Sequence, residues 1–190
     1  MEAAINSAST GDPRRHLTLD DLERGLSALP PAPRDRGAVI LICRRGEGGL
    51  RETPAEVELS PGRGVEGDAW ERRLPLDPQA QIAVMEADVA ALIAGGQPLV
   101  LAGDNLFVSL DLSTGNLPAG SRLRAGTALL EVTPKPHNGC RKFRTRFGDG
   151  ALRLVSDAKL RHRNLRGIYL CVIEPGILRV GDSIEVAARS

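Results

Sequence analysis

The chain has 190 residues, enough for one domain of ordinary size with modest appendages and a core that needs no disulfide staples. Hydrophobic residues at 42% and charged residues at 26% exclude a disordered chain. Apolar runs such as Ala38–Cys43 fall far short of the ~18 residues a membrane span needs. With aromatics at 3%, a platform of stacked rings for single-stranded nucleic acid is excluded as well. The net charge of +1 hides an asymmetry: Lys135 to Arg166 holds ten Lys or Arg against Asp149 and Asp157, which makes that segment +8 and the remainder −7. One region therefore expects an anion.

Residues 1–16 read as a flexible N-terminal arm without a targeting signal, and a cytoplasmic location is the default. Residues 17–37 read as an accessory helix and linker. Thr18 is the cap, Asp21 complements the helix dipole, and Leu19, Leu22, Leu26 and Leu29 share a face until Pro30-Pro31 stops it. From residue 38 to 190 the period becomes strand-like and defines the main domain. Strands are predicted at 38–43, 56–59, 81–85, 105–110, 122–124, 128–132, 168–173 and 183–186. Helices are predicted at 86–94, ended by Gly95-Gly96, at 141–147, and at 150–159. Gly 21 and Pro 13 supply the many turns that short strands require. The fold class is mainly β with a few helices, a small closed β-barrel plus a short N-terminal helix.

Gly62-Arg63-Gly64-Val65-Glu66-Gly67 matches the spacing of a dinucleotide-binding turn, but Pro75 and Pro78 deny it the helix that such a site opens. Arg63 can still approach an anion from this glycine-rich turn. Cys43 and Cys171 lie in apolar strand runs and read as inert core thiols; three cysteines suit a reducing compartment. Cys140 differs. It sits in His137-Asn138-Gly139-Cys140-Arg141-Lys142-Phe143, where a polar loop enters a basic helix and no acid occurs between Glu131 and Asp149. Positive neighbours and a helix start both favour thiolate, so a nucleophile or soft-metal ligand belongs here; the plain alternative is a surface cysteine after a turn. His137 could serve Cys140 as a base, although the spacing does not demand it. A zinc site is not expected, because His137 and Cys140 find no second closely spaced pair. Phe143 and Phe147 should bury on one helix face, while Arg161, Arg163 and Arg166 form a solvated basic turn or extend the anion site.

Three blocks resemble the MOSC domain, the module at the C-terminus of molybdenum-cofactor sulfurases and in stand-alone bacterial proteins. They are Val65-Glu66-Gly67-Asp68, then Gly103-Asp104-Asn105-Leu106 with its sequel to Thr133, then Gly139-Cys140-Arg141-Lys142-Phe143 with Arg146-Phe147-Gly148 and Gly167-Ile168-Tyr169. The resemblance implies a barrel-like fold in which Cys140 ligates molybdenum or carries sulfur. It implies a molybdenum cofactor (molybdopterin), whose pterin phosphate the Lys135 to Arg146 cluster would meet, with Asn105 and Asp68 at family positions near it. The expected cofactor-binding set is Arg63, Asp68, Asn105, Lys135, Asn138, Gly139, Arg141, Lys142 and Arg146, with Cys140 and His137 catalytic and Cys140 the metal ligand. Relatives reduce N-hydroxylated compounds, which implies an electron-donor reductase as partner. The second expectation is a persulfide on Cys140 passed to a sulfur-accepting enzyme; the third is a non-enzymatic anion-binding module. Asn138-Gly139 stands where many relatives have proline before the cysteine, and Ala69-Trp70 replaces the basic or His residues that often follow Gly-Asp. No upstream pyridoxal-phosphate-dependent desulfurase domain is read in the sequence, so a complete cofactor sulfurase is not expected.

Overall fold

Alternation of apolar and polar residues forces each strand to bury one face, and seven strands satisfy this by closing on themselves. The computed structural model describes residues 5–6 and 11–190. The expected arm at residues 1–16 lies outside the described residues except at these positions. In chain order the elements are β1 (Ile5–Asn6), α1 (Leu19–Ala28), β2 (Arg36–Ile42), β3 (Arg44–Arg45), β4 (Leu50–Glu52), β5 (Glu56–Ser60), β6 (Gly64–Val65) and β7 (Ile82–Glu86). Then follow α2 (Ala87–Ala94), β8 (Leu106–Val108), β9 (Arg122–Ala125), β10 (Ala128–Val132), α3 (Arg141–Ser156), β11 (Ile168–Glu174), β12 (Gly176–Arg179) and β13 (Ser183–Ala188).

The barrel runs β10-β11-β7-β8-β2-β13-β9 and closes by pairing β9 with β10. Six of the seven pairings are antiparallel; β7 and β8 are parallel, which requires a crossover, and α2 supplies it. Two apolar layers result from the pleat. Val84, Leu106 and Val108 point into the barrel, while Met85 and Phe107, their neighbours on β7 and β8, point out beneath the helices. There they meet Leu22 and Leu26 of α1, Val89 and Ile93 of α2, and Phe143, Phe147 and Leu154 of α3. Phe143 and Phe147 pack edge to face with centroids 5.0 Å apart, the burial their spacing predicts.

The expected helix starts and stops are realised. Thr18 Oγ1 accepts from the Asp21 amide at the start of α1, and Gly95 closes α2 in the left-handed region at φ 56°. The two helices predicted after Cys140 are one run broken at Gly148, whose φ 88° and ψ 175° lie outside helical space. The break frees the carbonyl of Arg146, which accepts from His16 Nε2 (3.1 Å) and Gln97 Nε2 (3.2 Å). Gln97 Oε1 in turn accepts from the Asp12 amide. Residues 11–16, part of the expected flexible arm, thus lie tied against α3.

Two small sheets flank the barrel: β1-β4-β3, and β12-β5-β6. The hairpin of β3 and β4 stands where a glycine turn was expected, and β12 follows Pro175 where only a turn was expected. One cysteine reading is corrected. Cys43 is fully buried, but Cys171 faces outward on β11 and is half-buried, its Sγ 3.7 Å from the Glu131 carbonyl.

Candidate functional site

Six segments converge on one polar network. At the β2–β3 junction the chain leaves the barrel through Cys43, and Arg45 turns back to a buried carboxylate. Asp68 accepts from the Arg45 amide at 2.7 Å and from its guanidinium at two further nitrogens. Asp68 also accepts from the Trp70 amide (2.9 Å) and from Asn105 Nδ2 (3.0 Å). Asn105 is as fully used: Nδ2 also donates to the Cys43 carbonyl at 3.3 Å, and Oδ1 accepts from the Ala83 amide at 3.1 Å. Burial pushes the Asp68 carboxyl up, but the Arg45 guanidinium more than offsets this and holds it below the usual range. Both side chains were expected to touch a cofactor. Neither has a polar atom left for one; they fix the β2–β3 junction against the start of β8.

The residue before Asn105 anchors the second half. Asp104, with none of its surface exposed, takes Arg166 Nη1 at 2.7 and 2.9 Å, while Arg166 Nη2 donates to the Ala102 carbonyl at 3.1 Å. The Arg166 guanidinium stacks over Phe143 at 4.8 Å. Arg166 is therefore neither a solvated turn residue nor a free anion ligand, but half of a buried ion pair.

His137 closes this side. Its ring stacks on Tyr169 with centroids 4.3 Å apart, and its Nδ1 lies 3.5 Å from Asp104 Oδ1 without a hydrogen bond of its own. Burial lowers the imidazole to about 4, against the pull of Asp104, so the ring is neutral at pH 7. The expected base for Cys140 is corrected on two grounds. The ring is engaged by Tyr169 and Asp104, and a group protonated only near pH 4 draws no proton from a thiol at neutral pH.

Cys140 occupies the cap position of α3 and is exposed, and its Sγ has no hydrogen-bond partner among the described residues. Gly139 before it is dictated by packing: a Cβ there would come within 2.6 Å of Leu152 Cδ1 and 3.0 Å of Val155 Cγ2. Arg146 lies one helical face along, half-buried, with Nη1 donating to the Leu101 carbonyl at 2.8 Å. Burial lowers the pKa of its guanidinium. By contrast, burial pushes the Cys43 thiol up to about 12, and Cys171 also rises.

The remaining expected ligands do not gather. Arg63 pairs with Glu66 on the exposed β5–β6 turn, away from every contact of the network. Lys135 pairs with Asp77, and Arg144 with Asp149. Asn138, Arg141 and Lys142 are exposed, and Asn138 helps line a cavity of about 290 Å³ behind His137, shared with Leu160 and Arg161. Two of the five charges of the acid-free stretch are thus paired, Lys135 with a distant acid and Arg144 with Asp149 five positions on, while Arg146 makes no ion pair among the described residues. The residues not singled out beforehand are Arg45 and Arg51. Arg51 sits on β4 directly opposite Arg45, and its Nε is buried without a partner. The paired arginines flanking Gly46 and Gly48-Gly49 were visible in the sequence, but only the hairpin sets them face to face.

A closed, mainly β barrel that presents an exposed cysteine at a glycine-led helix start defines the class. The family model for the MOSC domain matches residues 66–185, and the chain belongs to that family. No curated protein sequence matches the chain at a significant level. Among solved structures, YuaD from Bacillus subtilis is similar with a TM-score of 0.62 at 19% identity, over 84% of this chain and 100% of that one. YiiM from Escherichia coli is similar at 0.54 and 21% identity, over 79% of this chain and 70% of that one. YiiM from Geobacillus stearothermophilus follows at 0.53 and 15%, over 83% and 75%. At these identities the likeness shows the fold. Among the described residues no helix is long and apolar enough to cross a membrane.

Proposed function

We propose that the protein binds molybdenum cofactor with the Cys140 thiolate as its ligand to the metal. In that state it reduces N-hydroxylated or related substrates with electrons from a separate reductase. The observation that carries this reading is the exposed Sγ of Cys140, without a hydrogen-bond partner among the described residues, at a glycine-led helix start in a family linked to that cofactor. The donor set fits the group. A thiolate is a soft donor suited to a soft-binding metal. Among the described residues no cluster of three His, Cys, Asp or Glu could hold a metal by itself, so a metal here arrives with its own chelate.

When bound, the cofactor supplies the electron-transfer chemistry. The chain's own residues do the rest. Gly139 lets the loop pack flat on Leu152 and Val155, which fixes Cys140 at the rim. Asp68, Arg45 and Asn105 fix the β2–β3 junction against the start of β8, and neutral His137 stacks on Tyr169.

Elemental analysis of protein made in a cofactor-competent host tests the reading. Molybdenum is expected in the wild type and lost in Cys140→Ala; a wild type without metal, or a variant that keeps it, refutes the ligand role. The same exposed, unbonded Sγ favours persulfide carriage as a second reading. It predicts a cyanide-labile adduct of about 32 Da on Cys140 in the native protein.

A further inference from the structure

The hairpin of β3 and β4 carries a charge the network leaves unmatched. Arg45 and Arg51 are directly opposite across it, an arrangement of like charges that is unfavourable unless an anion balances it. Asp68 neutralises Arg45. Nothing among the described residues neutralises Arg51: its Nη1 makes only a long bond of 3.5 Å to the Leu50 carbonyl, and its Nε is buried with no partner. Burial lowers its pKa, and Arg146 and Arg45 both add to that lowering.

Arg51 and Arg146 meet over Gly103. A Cβ placed on this glycine would lie 3.5 Å from Arg51 Nη2 and 3.7 Å from Arg146 Nη1, so one small group above it touches both guanidiniums. Gly103 has φ 86° and no side chain to fill that space. Arg146 forms no ion pair among the described residues either; Nη1, the nitrogen over Gly103, gives one hydrogen to the Leu101 carbonyl, which leaves its second hydrogen and the Nη2 donors without a bond among those residues. Two forked cations over a bare glycine suit the geometry of a tetrahedral oxyanion.

We infer that Arg51 and Arg146 form an oxyanion subsite over Gly103 that takes a phosphate group, either free or as a monoester. As a monoester it deepens the cofactor reading and rests on it, since it assigns the pterin's phosphate to these two arginines instead of to Lys135, Arg141 and Lys142. As free phosphate it stands alone.

Calorimetric titration of the purified chain with inorganic phosphate, at constant ionic strength, is the test. The wild type is expected to bind one phosphate saturably, and Arg51→Gln and Arg146→Gln each to weaken it about tenfold or more, the loss of a charge-assisted pair. Arg153→Gln, an exposed charge elsewhere on α3, should bind as the wild type does. Arg51→Lys keeps the charge without the fork and should weaken binding less than Arg51→Gln, which covers the case in which the glutamine variant fails to fold. No saturable binding by the wild type, or equal binding by all the arginine variants, overturns the subsite. Phenyl phosphate is the second probe: binding at least as tight as inorganic phosphate indicates a monoester ligand, and weaker binding indicates free phosphate. Molybdenum measured on the same proteins separates the two failures. Phosphate binding that depends on Arg51 in a protein without metal sinks the cofactor reading alone; metal in the wild type with phosphate binding indifferent to Arg51 sinks the subsite alone.

Discussion

Buried polar groups at this site divide into those that are satisfied and those that are not, and His137 belongs to the second kind. In an unfolded chain a histidine takes up its proton near pH 6.5; folded, His137 refuses it until about 4. The native state therefore binds fewer protons within that window. Its stability from this group is complete above pH 6.5 and is lost as pH falls toward 4, by up to about 3 kcal/mol. Asp104, Arg166 and Arg45 are the charged groups that face the ring, and a His137→Phe variant keeps the stack on Tyr169 while removing the titration. Denaturant unfolding at several pH values should show the wild type losing stability relative to the variant between pH 6.5 and 4; parallel curves would show that the ring titrates normally. The sequence made Cys140 legible because its charged neighbours are local in the chain. It did not reveal that Lys135 and Arg144 are neutralised, nor that His137 is held by Tyr169 and Asp104. Those partners, apart from Asp149, are 30 or more positions distant, and no local pattern records them.

Elements with several turns or a place in the barrel were readable, and the two- and three-residue strands outside the barrel were not. Thr18, Gly95 and the paired phenylalanines announce α1, α2 and α3 through capping and period, and the barrel strands announce themselves by alternation. The hairpin of β3 and β4 has too few residues to alternate, and its glycines read as a turn, so Arg51 was passed over with it. Inside α3 the sequence did mark the interruption, since Gly148 and Gly150 separate two apolar stretches. That interruption makes a sharp prediction. Gly148 combines φ 88° with ψ 175°, a region open essentially to glycine, and a Cβ there would press on the His16 side chain at 3.0 Å. Gly148→Ala should cost about 1–3 kcal/mol in denaturant unfolding. Gly62→Ala, at a glycine without positive φ and with nothing within 4 Å of its added carbon, should stay within about 0.5 kcal/mol of the wild type. A Gly148→Ala variant as stable as Gly62→Ala would mean that the Arg146 carbonyl, and the guanidinium behind it, are not held by the break.

The whole molecule is organised by strands that serve two cores at once. β7 and β8 alternate between the barrel interior, with Val84 and Leu106, and the helical layer, with Met85 and Phe107. Neither layer can loosen without exposing the reverse face of the same strands, so the α1 region, expected as an accessory, shares its fate with the barrel. Leu22 shows this: it is fully buried, and it packs in the cluster that holds Met85, Phe107 and Phe147. Leu22→Ala should destabilise the protein by about 2–5 kcal/mol, the range for a cavity in a well-packed core. Its unfolding should stay a single transition, with Trp70 fluorescence on the barrel side and far-ultraviolet dichroism of the helices moving together. Were α1 a separable appendage, Leu22→Ala would instead lower an early dichroism step and leave the Trp70 midpoint unchanged. A shared transition would also tie the site to the helical layer, because Phe143, which stacks on Arg166 of the network, and Arg146, which bonds the Leu101 carbonyl, would lose their footing on α3 in the same event that opens the barrel.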